Sequence, residues 1–217
     1  MKKTIIFDAY GTLIDLNAVT DQFSNKLGSL TKDFNDLWRK KQLEYAWLIS
    51  QQDPTFYLNF WDLTKKALDY TFEFFNIKDS HLRQEMLLSY QIAPLFPDTL
   101  KVLQKLTAEN KKIVILTNAT PEMITPILQK TGIDQFISNI FSADTVKKYK
   151  PTASVYGLIA AKEEARNYTF VSSNAWDIYG ATSYGFNTTW INRTRAPFEN
   201  LPFAPVTEVD SLEQLLR

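Results

Sequence analysis

Four stretches of this 217-residue chain combine β-branched and aromatic residues at strand length: TIIF (4 to 7), KIVILT (112 to 117), YTFVSS (168 to 173) and NTTWIN (187 to 192). A weaker fifth is SNIFS at 138 to 142. The runs are mostly apolar rather than alternating in polarity. Helical stretches lie between them, with signals such as Thr120-Pro121 at a start and Gly132 at a stop. Strands of that kind alternating with helices predict an α/β fold, a parallel sheet covered on both faces. The strongest constraint is the gap of about 100 residues between the first run and the second, with no strand signal inside it. A parallel crossover needs far less chain. Residues 15 to 93 are therefore expected to be a helical insertion, ending near APLFPD with Pro94 and Pro97, while 1 to 14 and 94 to 217 form the sheet domain. Because the insertion leaves directly after the DAYGTL turn, it should overhang the C-terminal edge of the sheet, where open α/β sheets bind ligands.

Composition narrows the chemistry. Lysine plus arginine number 24 and aspartate plus glutamate 24, with no run of like charge, so nucleic acid and membrane surfaces are not expected partners. No cysteine is present and His81 is the single histidine, which excludes disulfides and thiolate or histidine metal clusters. His81, in the polar stretch DSHLRQEM, reads as a surface residue. The opening MKK-TIIF imitates a secretory leader, but Asp8 cuts its apolar run to four residues. A soluble, cytoplasmic protein is the expectation. There is no GxSxG elbow, which argues against a serine hydrolase.

The helix expected over about Thr31 to Ser50 carries two apolar faces. Phe34, Leu37, Trp38, Tyr45 and Leu48 form a stripe at helical spacing that reads as the insertion's own core. Arg39, Leu43, Ala46 and Trp47 stand roughly opposite, with Asp33, Lys40 and Glu44 on a separate polar strip. An arginine among apolar neighbours is either covered by another part of the molecule or packs its stem under a surface salt bridge. At the sheet's C-terminal edge fall Asp8, then Thr117 and Asn118, then Lys150, then Ser172, Ser173, Asn174 and Asp177. Each alone could be a helix cap. Two carboxylates, a lysine and several neutral hydrogen-bonding groups at one edge make a site constellation.

The stretches FDAYGTL, LWRKKQLEY, ILTNAT, YKPTASVY, VSSNAWD and WINRT, in that order, resemble the motifs of the haloacid dehalogenase superfamily, specifically its L-2-haloacid dehalogenase branch. The resemblance runs from residue 4 to about 194 and implies a Rossmann-like core with an inserted all-helical cap. In the superfamily's phosphatases a second aspartate, two residues after the nucleophile, protonates the leaving alkoxide. Here that position is Tyr10. A halide is a weak base and needs no proton, so an acid there would be idle. The acidic pair that helps phosphatases hold magnesium is matched by Ser173 and Asn174, which weakens an oxygen-rich metal site.

The resemblance implies a metal-independent and cofactor-free hydrolysis of short (S)-2-haloalkanoic acids to (R)-2-hydroxy acids. Asp8 is implied as nucleophile, Arg39 as cradle for the halide ion, Lys150 as the cation that keeps Asp8 and Asp177 ionised, and Asp177 as activator of water. Thr117, where the family usually has serine, and the backbone N–H groups after Asp8, that of Ala9 included, would hold the substrate carboxylate. Asn118 and Trp176 would assist, and Tyr10 and Leu43 would wall the alkyl pocket. Phe60 and Trp61 read more simply as core of the insertion. Thr12, Ser172 and Asn174 are implied as orienting residues and Tyr156 as a partner behind them. A homodimer is a further implication. Two rivals stand beside this reading. One is a magnesium-dependent phosphatase-type member, which metal dependence would reveal. The other is a catalytically retired binding protein, which failure to release halide from any haloacid would reveal.

Overall fold

The computed structural model describes residues 4 to 216, so the MKK segment lies outside the described residues. Its centre is one sheet of β1 (Thr4–Phe7), β2 (Lys112–Thr117), β3 (Asn139–Ser142), β4 (Thr169–Ser172), β5 (Asn187–Ile191) and β6 (Thr207–Val209). All neighbours are parallel and the order is β3-β2-β1-β4-β5-β6, the doubly wound arrangement whose direction of winding reverses between β1 and β4. The expected α/β parallel sheet is thus present. The strand runs read from sequence overreach by a residue at Ser138, Tyr168, Ser173 and Asn192. β6 is a strand the sequence reading lacks: three residues on the sheet's edge, two of them exposed, with too little apolar signal to stand out.

Among the described residues nine α-helices accompany the sheet: α1 (Asn17–Asp21), α2 (Ser24–Leu27), α3 (Thr31–Ser50), α4 (Phe60–Phe74), α5 (Ser80–Tyr90), α6 (Thr99–Ala108), α7 (Pro121–Thr131), α8 (Ala153–Tyr156) and α9 (Ala175–Tyr184). The first five fill the gap between β1 and the segment leading to β2. Local signals set their ends. Asn59 caps α4 by accepting from the Asp62 N–H at 2.9 Å, and Asp79 caps α5 through the Leu82 N–H at 2.8 Å. Proline opens α7 and Gly132, left-handed at φ 71°, closes it, as expected.

Among the helices between β1 and β2, Phe34 of α3 meets Phe72 of α4 edge-on with ring centres 5.4 Å apart, within an apolar core continuous with that of the sheet. Phe34, Leu63, Leu68 and Phe60 are fully or nearly fully buried, each contributing roughly 1.5–3 kcal/mol by leaving water. Phe60 also meets Tyr149, in the chain after β3, with ring centres 5.5 Å apart, so it packs between the helical segment and the sheet portion rather than inside the segment alone. The stripe assigned to α3 holds at Phe34 and Trp38 but fails at Leu48, which is 55% exposed. The last turn of α3 faces the sheet domain instead: Ser50 accepts from the Tyr149 N–H and Trp47 meets Trp176 edge-on at 5.8 Å. Among the described residues no helix is long and apolar enough to cross a membrane.

Candidate active site

Register brings the site together. Phe7 pairs with Ile115 of β2 and Val171 of β4, so the next residue, Asp8, emerges beside Leu116 and Ser172 at the reversal of winding. The chain then turns sharply. Gly11 takes φ 87°, and a Cβ there would point at the Asn174 amide 3.6 Å away, so this turn favours glycine on conformational grounds. The turn leaves the Ala9 and Tyr10 N–H groups without an acceptor among the described residues, directly beside the Asp8 carboxylate.

Asp8 is 4% exposed and fully hydrogen-bonded. Its Oδ1 accepts from Lys150 Nζ at 2.7 Å, and its Oδ2 accepts from Asn174 Nδ2 at 2.8 Å, Thr12 Oγ1 at 2.9 Å and Ser172 Oγ at 3.3 Å. Lys150 Nζ also donates to Asp177 Oδ2 at 2.6 Å and to the Leu116 carbonyl at 3.1 Å. Tyr156 completes the set by donating to Asp177 Oδ1 at 2.7 Å. One ammonium thus lies between two carboxylates, all three groups buried. Burial alone would discharge the lysine, but the two carboxylates outweigh it and hold the ammonium's pKa above its ordinary value. Burial, reinforced by the Asp8 charge, pushes the Asp177 carboxyl up to about 6 against the pull of Lys150. Burial and the Asp177 charge push the Tyr156 hydroxyl well up, so it remains a donor.

Asn118 does not cap a helix. Its Oδ1 accepts from the Lys150 N–H at 2.9 Å, tying the end of β2 to the lysine's backbone. The Thr117 hydroxyl accepts from the Ala119 N–H at 3.1 Å and keeps its own proton free. Tyr10 is buried and stacked on Tyr90 at 5.5 Å and 21°, an aromatic wall rather than an acid, and burial raises its hydroxyl pKa well above the ordinary value. Leu43 is buried, and Trp176 turns its ring towards Lys150 Nζ at 6.0 Å.

Arg39 is half-buried, and no carboxylate lies within 4.0 Å of it among the described residues. The surface salt bridge is absent among the described residues, and Arg39 stands partly buried at the lining of a cleft. That cleft, of about 310 Å³, is lined by Arg39 together with Gly11, Ser173 and Asn174, residues close to Asp8. His81 is exposed on α5, 3.4 Å from Glu85, away from this edge.

The donors do not suit a hard cation. Asn174 presents its amide nitrogen to Asp8 and to the Tyr10 carbonyl, the Ser173 hydroxyl is engaged by the Gly11 carbonyl, and the Lys150 ammonium already bridges the two carboxylates. Among the described residues no three histidine, cysteine or acidic side chains form a metal-binding group.

Several supporting residues escaped the sequence reading. Arg193 pairs with Asp98 at 2.9 and 3.0 Å, reaches the Thr12 carbonyl at 3.3 Å and lies over the Phe96 ring at 4.1 Å, bracing the turn after Asp8 from outside. Its WINRT context was the available signal. Gly180 faces Tyr156 and Pro151 so closely that a Cβ would stand 2.5 Å from each, which lets the tyrosine reach Asp177. Gln42, the acceptor for Arg39, carried no signal beyond being polar on a helix.

Comparison with known proteins identifies the family. The family model of haloacid dehalogenase-like hydrolases matches residues 2 to 185. (S)-2-haloacid dehalogenase 1 of Pseudomonas sp. (strain CBS-3) is 35% identical over 99% of this chain and 96% of its own. (S)-2-haloacid dehalogenase 4A of Burkholderia cepacia is 34% identical over 98% and 93%. The structure of the L-2-haloacid dehalogenase from Xanthobacter autotrophicus with chloropropionic acid covalently bound superposes with a TM-score of 0.86 at 28% identity, covering 99% of this chain and 97% of that one. A buried Asp-Lys-Asp cluster at the winding reversal thus sits in a sequence and fold shared along its whole length with these enzymes: the chain belongs to the haloacid dehalogenase-like hydrolase family.

Proposed function

We propose that the protein hydrolyses short (S)-2-haloalkanoic acids to (R)-2-hydroxyalkanoic acids through an ester on Asp8. The observation that carries this reading is the Asp8–Lys150–Asp177 cluster combined with a buried tyrosine, Tyr10, where an alkoxide would need an acid. The names of the two sequence relatives support the substrate class. In this reading the segment 15 to 93 acts as a cap over the core formed by 1 to 14 and 94 to 217.

The substrate carboxylate is held by the free Ala9 and Tyr10 N–H groups and the Thr117 hydroxyl proton. Asp8 Oδ1, with a single protein partner, attacks carbon 2 from the side opposite the halogen. The carbon–oxygen bond forms as the carbon–halogen bond breaks, and the bonding pair leaves with the halide towards Arg39, whose charge no carboxylate cancels. Leu43, Tyr10 and Trp176 wall the alkyl group, with Asn118 near the halide. Asp177 then takes a proton from water, which attacks the Asp8 carbonyl carbon. The acyl–oxygen bond breaks, the alkoxide takes up the proton held by Asp177, and Asp8, now carrying one oxygen drawn from water, gives up the water's second proton to solvent and is restored. No step calls for a metal. Halide release into the cleft, a cytoplasmic setting and a homodimer belong to the same proposal.

Single turnover in heavy-oxygen water tests it. The first product should carry an unlabelled hydroxyl and Asp8 should gain the label. Label in the first product would mean direct attack by water, leaving Asp8 only a base.

A further inference from the structure

Gln42 is 1% exposed and uses all of its principal hydrogen-bonding capacity. Its Oε1 accepts from Arg39 Nη1 at 2.6 Å, while its Nε2 donates to Thr64 Oγ1 at 2.5 Å and to the Tyr90 hydroxyl at 3.0 Å. The three contacts reach α3, α4 and α5, the long helices of the insertion. The amide can face only one way. Thr64 spends its hydroxyl proton on the Phe60 carbonyl one turn back, at 2.7 Å, so only lone pairs face Gln42 and the glutamine must offer nitrogen there. Its oxygen is then turned to Arg39, which has donors only.

We propose that Gln42 is a positioning residue for the halide-departure step: it orients the Arg39 guanidinium without neutralising it. The inference rests on the role given to Arg39 above. A long side chain that must meet a departing halide in one place loses rate if it wanders, because charge stabilisation acts only when aimed at where charge develops. A carboxylate would orient the guanidinium as well, but would cancel the charge the halide needs. A buried amide locked by Thr64 and Tyr90 supplies direction alone. Trp38 reinforces the frame, donating from Nε1 to the Thr64 carbonyl at 3.0 Å.

A double-mutant cycle on the first halide release tests this, using rapid mixing with 2-chloropropionate and 2-bromopropionate and the variants Gln42→Met, Arg39→Ala and both together. Gln42→Met should slow the first release by about tenfold to a hundredfold, less than losing a direct charge donor. The chloride substrate, with the poorer leaving group, should suffer more than the bromide, and ester hydrolysis should keep its rate. In the Arg39→Ala background the same change should cost less than about twofold, since coupled residues are not additive. An equal cost in both backgrounds, or an equal cost for both halogens, would overturn the proposal while leaving the role of Arg39 intact. Arg39→Ala releasing halide at the unaltered rate would instead overturn the reading beneath it. If Gln42→Met does not fold, Thr64→Val removes the acceptor that sets the amide's direction, along with that hydroxyl's own bond to the Phe60 carbonyl. It should give a smaller loss that also vanishes without Arg39, and a loss that persists there would count against the proposal.

Discussion

Asp177 and Asp8 are the same residue type a few ångströms apart, yet each meets different partners. Asp8 receives four donors and Asp177 receives Lys150 and Tyr156, inside complete burial. Burial, reinforced by the Asp8 charge, pushes the Asp177 carboxyl up to about 6 against the pull of Lys150 and Tyr156. Below that pH the carboxyl is protonated and cannot take a proton from water, while above it the carboxylate can. Ester hydrolysis should therefore rise with pH through about 6 and level off above it. Single-turnover decay of the alkylated enzyme, followed by mass spectrometry at a series of pH values, measures this, and a flat profile from pH about 5 to 8 would remove Asp177 as the base. The charged lysine between the carboxylates costs desolvation, which its two partners offset only because both stay in place.

Elements set these partners by periodicity. On α9, Asp177 and Gly180 are three residues apart and so share the face turned to Tyr156 and Pro151. Gly180 is thus part of the site's construction, although it bears no functional group. Gly180→Ala would place a methyl 2.5 Å from the Tyr156 hydroxyl and from Pro151, and something must move. Overpacking of this kind costs about 1–3 kcal/mol. The expected outcome is a lower melting temperature together with slower ester hydrolysis, as Tyr156 withdraws from Asp177. Thermal melts and single-turnover rates read the two separately, and unchanged values in both would refute the tight fit. α3 works by the same rule: three residues along from Arg39 stands Gln42, within reach of its guanidinium.

At the scale of the molecule, the proposed carboxylate-holding groups and nucleophile lie at the sheet's edge, and Arg39, proposed to meet the halide, lies on α3. An in-line attack needs oxygen, carbon and halogen aligned while the carboxylate is pinned, so one enantiomer alone can present its halogen to Arg39. Turnover of racemic 2-chloropropionate should stop near half conversion and leave the (R)-acid, with (R)-lactate as product, as chiral chromatography would show. Complete consumption at one rate would contradict the pinned geometry. The two parts are held to each other by side chains at the seam: Tyr57 donates to Asp144 at 2.8 Å and Lys148 to the Ser50 carbonyl at 2.6 Å.

Local pattern carries far in this protein, because helix and strand formation depend on neighbours a few residues away. The apolar runs, the helix stops, the uninterrupted helical gap and the order of polar residues at strand ends were therefore legible from the chain alone, and Asp8, Lys150 and Asp177 with them. β6 was not, since a three-residue edge strand owes its existence to β5 beside it. Nor was the outward face of Leu48, which depends on what the last turn of α3 meets. Which atom holds which is likewise a matter of long-range packing. Lys150 and Asp8 are 142 positions apart, and no local pattern records that one ammonium spans two carboxylates, that Arg39 takes an amide rather than an acid as partner, or that a glycine makes room for Tyr156. Sequence determined the elements and the inventory of reactive groups; the folded chain, by closing distances that sequence leaves open, decided their charges, their directions and their partners.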